Sequence, residues 1–248
     1  MKKKIIPCLD MKDGNVVKGV HFDTLKKVGD PCELALEYQK QGADEIVFLD
    51  ISATLENRKT TLDVIASIAE KLTIPFVVGG GISELADMEK IFNIGASKVS
   101  LNTAAYKNPQ IISKASEKFG KEKIVIAIDV KKYQDEWHVV IEGGKTDTKV
   151  RVEDWAKTCE ELGAGELLVT SMDTDGVTQG YDIELYQLLK RTVDLPIIAS
   201  GGCGSLDDFY EVFEKADVEA ALAASLFHYG VVNVEQVKDY VRNKGIEI

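Results

Sequence analysis

The stretch VVGGGISELADMEKIFNIGASKVSLNTAA, residues 77–105, contains the pattern that decides the fold. An apolar strand runs into a glycine pair, a helix of period 3.6 follows, and a second strand ends at Asn102-Thr103. The pattern returns in IASGGCGSLDDFYEVFEKADVEAALAASL, residues 198–226. Glycine lets the backbone approach a ligand closely, and N–H groups in a turn favour an anion. The two copies therefore predict two anion-binding pockets.

The distance between the copies indicates a half-chain repeat. Three pairs of landmarks recur at separations of 119 to 121 residues. The pairs are Asp10 with Asp129, residues 42–45 (GADE) with 163–166 (GAGE), and Gly80 with Gly201. A self-similarity at half the chain length indicates a duplicated half-domain and not the many short repeats of a solenoid.

Near-continuous apolar strands alternate with amphipathic helices, which indicates a parallel sheet covered by helices. Eight such units in 248 residues match the (β/α)8 TIM barrel, which typically has about 250 residues. A doubly wound open sheet would give the same alternation. The repeat favours the barrel, because two four-unit halves close symmetrically while an open sheet has unlike edges. We predict a single barrel domain over residues 1–248, with half-barrels of about 1–120 and 121–248.

Hydrophobic periodicity predicts the individual elements. Strands are expected at 4–9, 45–49, 76–78, 98–101, 124–128, 166–170, 197–199 and 220–223. Helices are expected at 31–41, 60–72, 85–93, 109–118, 152–162, 183–191, 206–215 and 234–243. Residues 24–30 are predicted to be a loop, either a lid or a solvated connection. Residues 131–149 alternate like strands and are predicted to form a small hairpin after the fifth strand.

Composition limits the classes of function. The formal net charge of -11 gives no basic footprint for nucleic acid or an anionic membrane. The four cysteines show no C-x-x-C spacing, so we expect reduced thiols in a cytoplasmic protein. The apolar run after the N-terminal lysines is too short for a signal peptide, and no segment reaches the length of a membrane span. Histidine spacing indicates no metal site, and we predict no cofactor.

The active site of a (β/α)8 barrel lies at the C-terminal ends of its strands. Six side chains that could carry chemistry end strands in the predicted barrel: Asp10, Asp50, Asn102, Asp129, Ser171 and Ser200. The first and fifth strands are opposite each other, so Asp10 and Asp129 are expected to face across the mouth. Two carboxylates in different environments can divide acid and base roles. The alternative is that each caps a loop or binds a lysine.

Eight motifs follow one another along the chain: IIPCLDMKDGNVVKG, VFLDISAT, VVGGGI, KVSLNTAA, AIDVK, VTSMDTDGVTQGYD, IIASGGCG and LAASLFH. Together they resemble the cyclase subunit family of imidazole glycerol phosphate synthase. The resemblance runs from residue 4 to about 240. The resemblance implies a reaction of histidine biosynthesis. An open-chain aminoimidazole carboxamide ribulotide, phosphorylated at both ends, combines with ammonia. The products are imidazole glycerol phosphate and aminoimidazole carboxamide ribotide.

The resemblance also implies roles for individual residues. Asp10 and Asp129 match the two catalytic aspartates of the family. One phosphate pocket matches Gly81, Asn102 and Thr103, and the other matches Asp175, Gly176, Gly202, Ala224 and Ser225. Further substrate contacts are expected at the strand ends from Asp50, Ser171, Ser200 and Gly201, and from a loop through Lys18 and Lys26.

The family receives its ammonia from a glutaminase subunit docked at the N-terminal face of the barrel. Its charged gate matches Lys4, Glu45, Lys98 and Glu166, which would otherwise form a plain salt-bridge cluster. Three departures from the family pattern stand out. Lys4 replaces a usual arginine, which loosens its pairing. Ser97 stands where an aspartate often precedes the gate lysine, and Lys149 stands where the inserted hairpin usually has a glycine.

Two rival interpretations stay open on the residues alone. The sister barrel of the same pathway, an aminoaldose-aminoketose isomerase, shares the repeat, the opposed acids and both phosphate pockets. The motifs CLDMKDG, NTAA and ASGGCG favour the cyclase. The second rival is a barrel without catalysis that only binds and activates a glutaminase. The presence of Asp10 and Asp129 argues against it.

Overall fold

The computed structural model describes residues 2–20, 23–51 and 59–248, with the backbone alone at 18–20, 23–26 and 59–60. Its strands are β1 (Lys4–Lys12), β2 (Asn15–Val20), β3 (Asp23–Gly29), β4 (Ile46–Asp50), β5 (Phe76–Gly79), β6 (Lys98–Leu101), β7 (Ile124–Tyr133), β8 (Glu136–Ile141), β9 (Thr146–Arg151), β10 (Glu166–Ser171), β11 (Ile197–Ser200) and β12 (Ala220–Ala223). Its helices are α1 (Pro31–Lys40), α2 (Lys59–Ala69), α3 (Leu85–Asn93), α4 (Thr103–Lys107), α5 (Gln110–Phe119), α6 (Val152–Glu161), α7 (Ile183–Thr192), α8 (Leu206–Ala216), α9 (Ser225–His228) and α10 (Val234–Asn243).

Eight parallel strands close into a ring. Its order is β1, β4, β5, β6, β7, β10, β11, β12 and back to β1. Strand β1 pairs with β12 through Ile5 and Ala221, and β10 pairs with β7 through Leu167 and Ile126. Because these pairings leave no free edge in the ring, they confirm the predicted barrel over the open sheet.

The barrel interior is a small apolar cluster, separate from the larger core between strands and helices. Its buried members are Ile6, Cys8, Val47, Val77, Val125, Leu168, Ile198, Ala220 and Leu222. Side chains of a strand alternate between its two faces. Lys4 and Asp10 therefore share the inward face of β1 with Ile6 and Cys8, one at each end of the barrel.

The half-chain repeat recurs in individual backbone hydrogen bonds. Each of two bonds in the first half has a counterpart 121 residues later. The pairs are Ala43 N to Tyr38 O (3.0 Å) with Ala164 N to Cys159 O (2.9 Å), and Ile46 N to Pro75 O (3.1 Å) with Leu167 N to Pro196 O (3.0 Å). The boundary between the halves near residue 120 stays a prediction.

Strands β1 and β7 run well beyond their predicted ends at 9 and 128. Asp10 and Asp129 do not end their strands, because β1 runs on to Lys12 and β7 to Tyr133. Beyond the barrel, both strands pair antiparallel with the segment that follows, β1 with β2 and β7 with β8. Both acids nevertheless lie at the C-terminal edge of the parallel ring, where Asp10 pairs with Leu49 and Asp129 with Thr170.

Two further predictions of secondary structure were wrong. Residues 24–30 were expected to be a loop, but Asp23–Gly29 is strand β3, paired antiparallel with β2. The insertion after the fifth barrel strand is a three-stranded antiparallel sheet, β7, β8 and β9, and not a two-stranded hairpin. In both places backbone pairing with a neighbouring strand satisfies N–H and C=O groups that a loop would leave to water.

All four cysteines are free thiols. Among the described residues, no helix combines the length and the apolar character that crossing a membrane requires. Within the same ranges, no group of three or more His, Cys, Asp or Glu side chains could hold a metal ion.

Candidate active site

Asp10 lies on the inward face of β1 and is partly exposed at the C-terminal mouth of the barrel. Directly below it in the barrel wall, the Cys8 thiol donates a hydrogen bond to Asp10 Oδ1 at 3.6 Å. Cys8 itself is buried. The carboxylate of Asp10 is thus supported from the apolar interior and open towards the mouth.

Asp129 lies on β7, also partly exposed at the mouth. Asn102 Nδ2 donates a hydrogen bond to Asp129 Oδ2 at 3.0 Å. Burial raises the pKa of Asp129 to about 6, the Asn102 hydrogen bond opposes that rise, and the negative charge of Asp175 adds to it. A carboxyl group with this pKa is present in both protonation states near neutral pH.

The strand order places the two acids opposite each other. In the ring of eight strands, β1 and β7 are four strands apart in either direction. The sequence predicted this arrangement from the position of the acids in the repeat. Because Asp10 is unlike Asp129 in its hydrogen-bond partners, the two carboxyl groups have different environments.

The first predicted phosphate pocket is formed by the turn after β5 and the start of α4. Gly80 and Gly81 have φ values of +100° and +59°. A Cβ atom on Gly80 would come within 2.1 Å of the Asp50 carbonyl oxygen, so this glycine is required by packing against its own chain. At the start of α4, Thr103 Oγ1 accepts a hydrogen bond from the Glu142 N–H at 3.1 Å.

The second pocket repeats this construction after β11. Gly201 and Gly202 have φ values of +91° and +101°. Cβ atoms on them would come within 2.7 Å of the Ser171 carbonyl oxygen and 2.0 Å of the Gly180 carbonyl oxygen. Gly201 therefore contacts Ser171 as Gly80 contacts Asp50, 121 residues earlier.

The residues that open the two short helices also correspond. Asn102 has φ −123° and ψ −106°, and Ala224 has φ −124° and ψ −75°. The Asn102 carbonyl accepts a hydrogen bond from Ala105 N at 2.9 Å, and the Ala224 carbonyl accepts one from Phe227 N at 3.0 Å. Thr103 and Ser225 follow as the first helical residues. We call residues 80–81 with 102–103 the first cradle, and residues 175–176 with 201–202 and 224–225 the second cradle.

Not every predicted contact residue faces the mouth. Ser171 is fully buried, and its hydroxyl donates to Asp182 Oδ2 at 3.2 Å. Its carbonyl accepts from Asp175 N at 3.0 Å, so Ser171 supports the second cradle from below. Asp50 is likewise buried, and its backbone packs against Gly80.

Ser200 is as buried as Asp50, although it shares the inward face of β11 with Ile198. The Tyr186 hydroxyl donates to the Ser200 carbonyl at 2.8 Å. Asp175 is partly exposed and Gly176 is exposed. Lys18 and Lys26 are paired on β2 and β3, but their side chains, like residue His21, lie outside the described part of the chain.

Sequence reasoning missed two side chains near this site. Trp137 Nε1 donates a hydrogen bond to Asp182 Oδ2 at 2.9 Å, which joins β8 to the start of α7. Asp182 could have been found as a helix N-cap, since it directly precedes the helical periodicity. No local pattern indicates its contact with Trp137.

The predicted gate residues meet at the opposite end of the barrel. Lys98 Nζ lies 2.6 Å from Glu166 Oε2 and 3.2 Å from Glu45 Oε1. Lys4 contacts only the edge of this cluster, with Nζ 3.8 Å from Glu45 Oε2 and 44% of its side chain exposed. Both glutamates are buried. The network therefore has Lys98 at its centre.

Burial and pairing act against each other in this cluster. Burial lowers the pKa of Lys98, but the carboxylates of Glu166 and Glu45 outweigh burial and raise it. Burial raises the pKa of Glu166, although Lys98 opposes the rise. Two carboxylates share one central lysine, so Lys98 is held firmly in its charged form.

Between the charged cluster and the two aspartates, the inward faces of the strands are mainly apolar. The interior cluster fills this distance, and Ser100, buried on β6, adds one hydroxyl. An ion would lose its hydration there without a partner, whereas a small neutral molecule would not incur that cost.

Comparison with known proteins identifies the family of the chain. A family model described as "Histidine biosynthesis protein" matches residues 4–233. The protein named "Imidazole glycerol phosphate synthase subunit HisF" from Clostridium botulinum (strain Okra / Type B1) is 53% identical over 248 residues, covering 99% of this chain and 98% of the relative. The protein of the same name from Bacillus cereus (strain G9842) is 52% identical over 249 residues, covering 100% and 99%. This chain therefore belongs to the histidine biosynthesis protein family, among its imidazole glycerol phosphate synthase HisF subunits.

Proposed function

We propose that Asp10 and Asp129 catalyse the closure of the imidazole ring in this HisF subunit. The substrate is the bis-phosphorylated ribulosyl aminoimidazole carboxamide, which reacts with ammonia to give imidazole glycerol phosphate and aminoimidazole carboxamide ribotide. The observation that carries the proposal is the placement of two differently held acids on opposite strands, between two cradles of matching backbone geometry.

The chemistry requires several proton transfers. Ammonia adds to the ketose carbonyl, water leaves, and the ribotide is expelled as the ring closes. A positioned acid or base accelerates such a step by roughly 10² to 10⁴. We assign the main donor and acceptor role to Asp10, and assistance at ring closure to Asp129. The pKa of about 6 at Asp129 supports its part, because both forms of the carboxyl group are then available near neutral pH.

The two cradles are proposed to hold the two phosphate groups. With a net charge of -11, the protein cannot attract a bis-phosphate through its overall field, so local donors must do so. In the first cradle we assign this role to Gly81, Asn102 and Thr103. In the second we assign it to Gly176, Gly202, Ala224 and Ser225, while Asp175, whose N–H donates to the Ser171 carbonyl, shapes the turn of that cradle. Because Thr103 Oγ1 accepts the Glu142 N–H, its own proton is available to donate to a phosphate oxygen.

We propose that a glutaminase subunit docks at the N-terminal face and supplies ammonia through the barrel. Lys4, Glu45, Lys98 and Glu166 would form the gate there. The apolar interior favours passage of neutral ammonia over ammonium, because an unpaired charge is costly to bury. A cytoplasmic location, predicted from the cysteine usage, fits a protein that works with a partner enzyme.

Two alternatives are weaker. The sister isomerase would share the acids and cradles, but the similar proteins are named HisF. A barrel that only activates a glutaminase would have no use for two mouth carboxylates with different environments. Incubating the purified chain with an ammonium salt and either pathway substrate separates the cyclase from the isomerase.

The decisive experiment replaces each acid by its amide. Asp10→Asn and Asp129→Asn are expected to abolish ammonia-dependent formation of imidazole glycerol phosphate, while the substrate still binds in calorimetry. Asp239→Asn is the matched control, since Asp239 lies on the outside of the barrel in an exposed pair with Arg242. Near-wild-type turnover in both active-site variants would exclude the proposed catalytic pair.

A further inference from the structure

The sheet formed by β7, β8 and β9 beyond the barrel is attached to both halves of the mouth. On one side, Met172 N donates to Val130 O at 2.9 Å, and Lys132 N donates to Asp173 Oδ2 at 2.6 Å. On the other side, Lys107 Nζ lies 2.5 Å from Glu142 Oε1, beside the Glu142 contact with the first cradle. We call residues 130–151 the strap.

One carboxylate connects the strap to the second half. Asp182 Oδ2 accepts hydrogen bonds from Trp137 Nε1 at 2.9 Å and from Ser171 Oγ at 3.2 Å. Asp182 Oδ1 accepts from Leu185 N at 3.2 Å and so caps α7. Trp137 is 7% exposed and Ser171 is fully buried, so both donors would be left without a partner in a dry environment if Asp182 were absent.

These contacts connect Asp129 with the second cradle. Trp137 lies on β8, the strand on which Val140 pairs with Asp129. Ser171, the other donor, holds Asp175 of the second cradle through its carbonyl. Strand β7 also pairs directly with β10 through Asp129 and Thr170, so the Asp182 contact is a second link, which fixes β8, on the other edge of Asp129, against the second cradle.

We infer that Asp182 is a positioning residue, which fixes the orientation of Asp129 towards the second cradle by holding Trp137 of β8 and Ser171 of β10 on one carboxylate oxygen. The inference rests on the functions proposed for Asp129 and for the second cradle. A helix cap alone would not require this arrangement. Within the described part of the chain, Asp30, which caps α1, uses a single oxygen for two backbone amides and accepts from no side chain.

The variant Asp182→Asn separates the capping of α7 from the contact with Trp137 and Ser171. Its side-chain amide keeps one oxygen, which can accept from the Leu185 N–H, but its NH2 group cannot accept a hydrogen bond as the second carboxylate oxygen does. We expect Asp182→Asn to lower kcat of the ammonia-dependent reaction about tenfold, because a small misplacement of a catalytic group has a large effect on rate. Trp137→Phe, which removes only the indole donor, should give a similar loss. The double variant should lose no more than the worse single variant, since both changes break the same contact.

Asp30→Asn is the control for a change at a helix cap. It should leave kcat within about twofold of wild type, because a helix cap stabilises its own helix and does not act on the site. The inference is overturned if Asp30→Asn loses as much activity as Asp182→Asn, or if the losses of Asp182→Asn and Trp137→Phe multiply in the double variant.

Hydrogen exchange provides a readout that does not depend on activity. Asp182→Asn and Trp137→Phe should both accelerate exchange of the amides of 136–141, and Asp30→Asn should leave them unchanged. Unchanged exchange in Asp182→Asn would show that it does not hold the strap. If wild type makes no imidazole glycerol phosphate, the proposed function fails, and the exchange data still decide whether Asp182 holds the strap.

Discussion

The side-chain amide of Asn102 donates a hydrogen bond to Asp129 Oδ2 at 3.0 Å. Asn102 opens the short helix of the first cradle, so one side chain joins the site proposed for a phosphate to a proposed catalytic acid. The hydrogen bond favours the carboxylate form of Asp129, while burial disfavours it. The proton affinity of Asp129 thus depends on a residue that also shapes the proposed binding site.

Removal of this hydrogen bond should raise the pKa of Asp129 above about 6. We expect Asn102→Ala to move the limb of the kcat profile that reports Asp129 to higher pH, whichever protonation state the step requires. Alanine fits this backbone, because Ala224 occupies the equivalent position with a similar conformation. Steady-state kinetics between about pH 5 and pH 9 would test this. A limb that stays in place, or moves to lower pH, would contradict the assigned role of the hydrogen bond.

Asp129 should also reduce stability at neutral pH. Its pKa is about 6 in the folded protein against an ordinary value of 3.8 for aspartate, so the folded state binds this proton more tightly than the unfolded chain does. Its contribution to stability is therefore greatest below about pH 4 and is lost as pH rises through about 6. We expect Asp129→Asn to raise the free energy of unfolding by about 1 to 3 kcal/mol at about pH 8, with the gain vanishing below about pH 4. Urea unfolding at both pH values measures it, and equal gains at both would refute the explanation.

Three of the cradle glycines, Gly80, Gly201 and Gly202, should tolerate no side chain. Gly202→Ala would place Cβ 2.0 Å from the Gly180 carbonyl oxygen at a φ of +101°. We expect a loss of more than about 3 kcal/mol in the free energy of unfolding. Gly95→Ala is the control, with a φ of +98° and no atom within 4 Å of the added Cβ. It should lose only about 1 to 2 kcal/mol, the cost of the backbone conformation. Equal losses in the two variants would show that close packing is not what requires Gly202.

The two lysines of the predicted gate should differ in their effect on stability. Lys98→Met leaves two buried carboxylates without their central cation, and we expect a loss of about 3 to 5 kcal/mol in the free energy of unfolding. Lys4→Met removes a largely exposed partner 3.8 Å from Glu45 and should cost less than about 1 kcal/mol. Urea unfolding of both variants provides the comparison. A larger loss in Lys4→Met would mean that Lys4 is the centre of the network.

The barrel could be predicted because its signals are local and repeated. Apolar strands and amphipathic helices each have their own period along the chain. Gly80 and Gly201 are 121 residues apart, and so are the residues that they contact, Asp50 and Ser171. The positions of Asp10 and Asp129 across the mouth followed from the same repeat. The ends of β1 and β7 could not be predicted, because they depend on antiparallel pairing with β2 and β8.

By itself the sequence determined the eight-unit barrel, the family, the two glycine turns and the acids on opposite strands, because these depend on residue order and periodicity along the chain. Only the tertiary structure decided the hydrogen bond from Asn102 to Asp129, the sharing of Asp182 by Trp137 and Ser171, and the central place of Lys98 in the charged cluster. Those features join side chains from parts of the chain that are distant in sequence, at distances of about 3 Å set by packing of the whole barrel. The pKa of a carboxyl group depends on such neighbours and on burial, and neither is encoded in a local stretch of sequence.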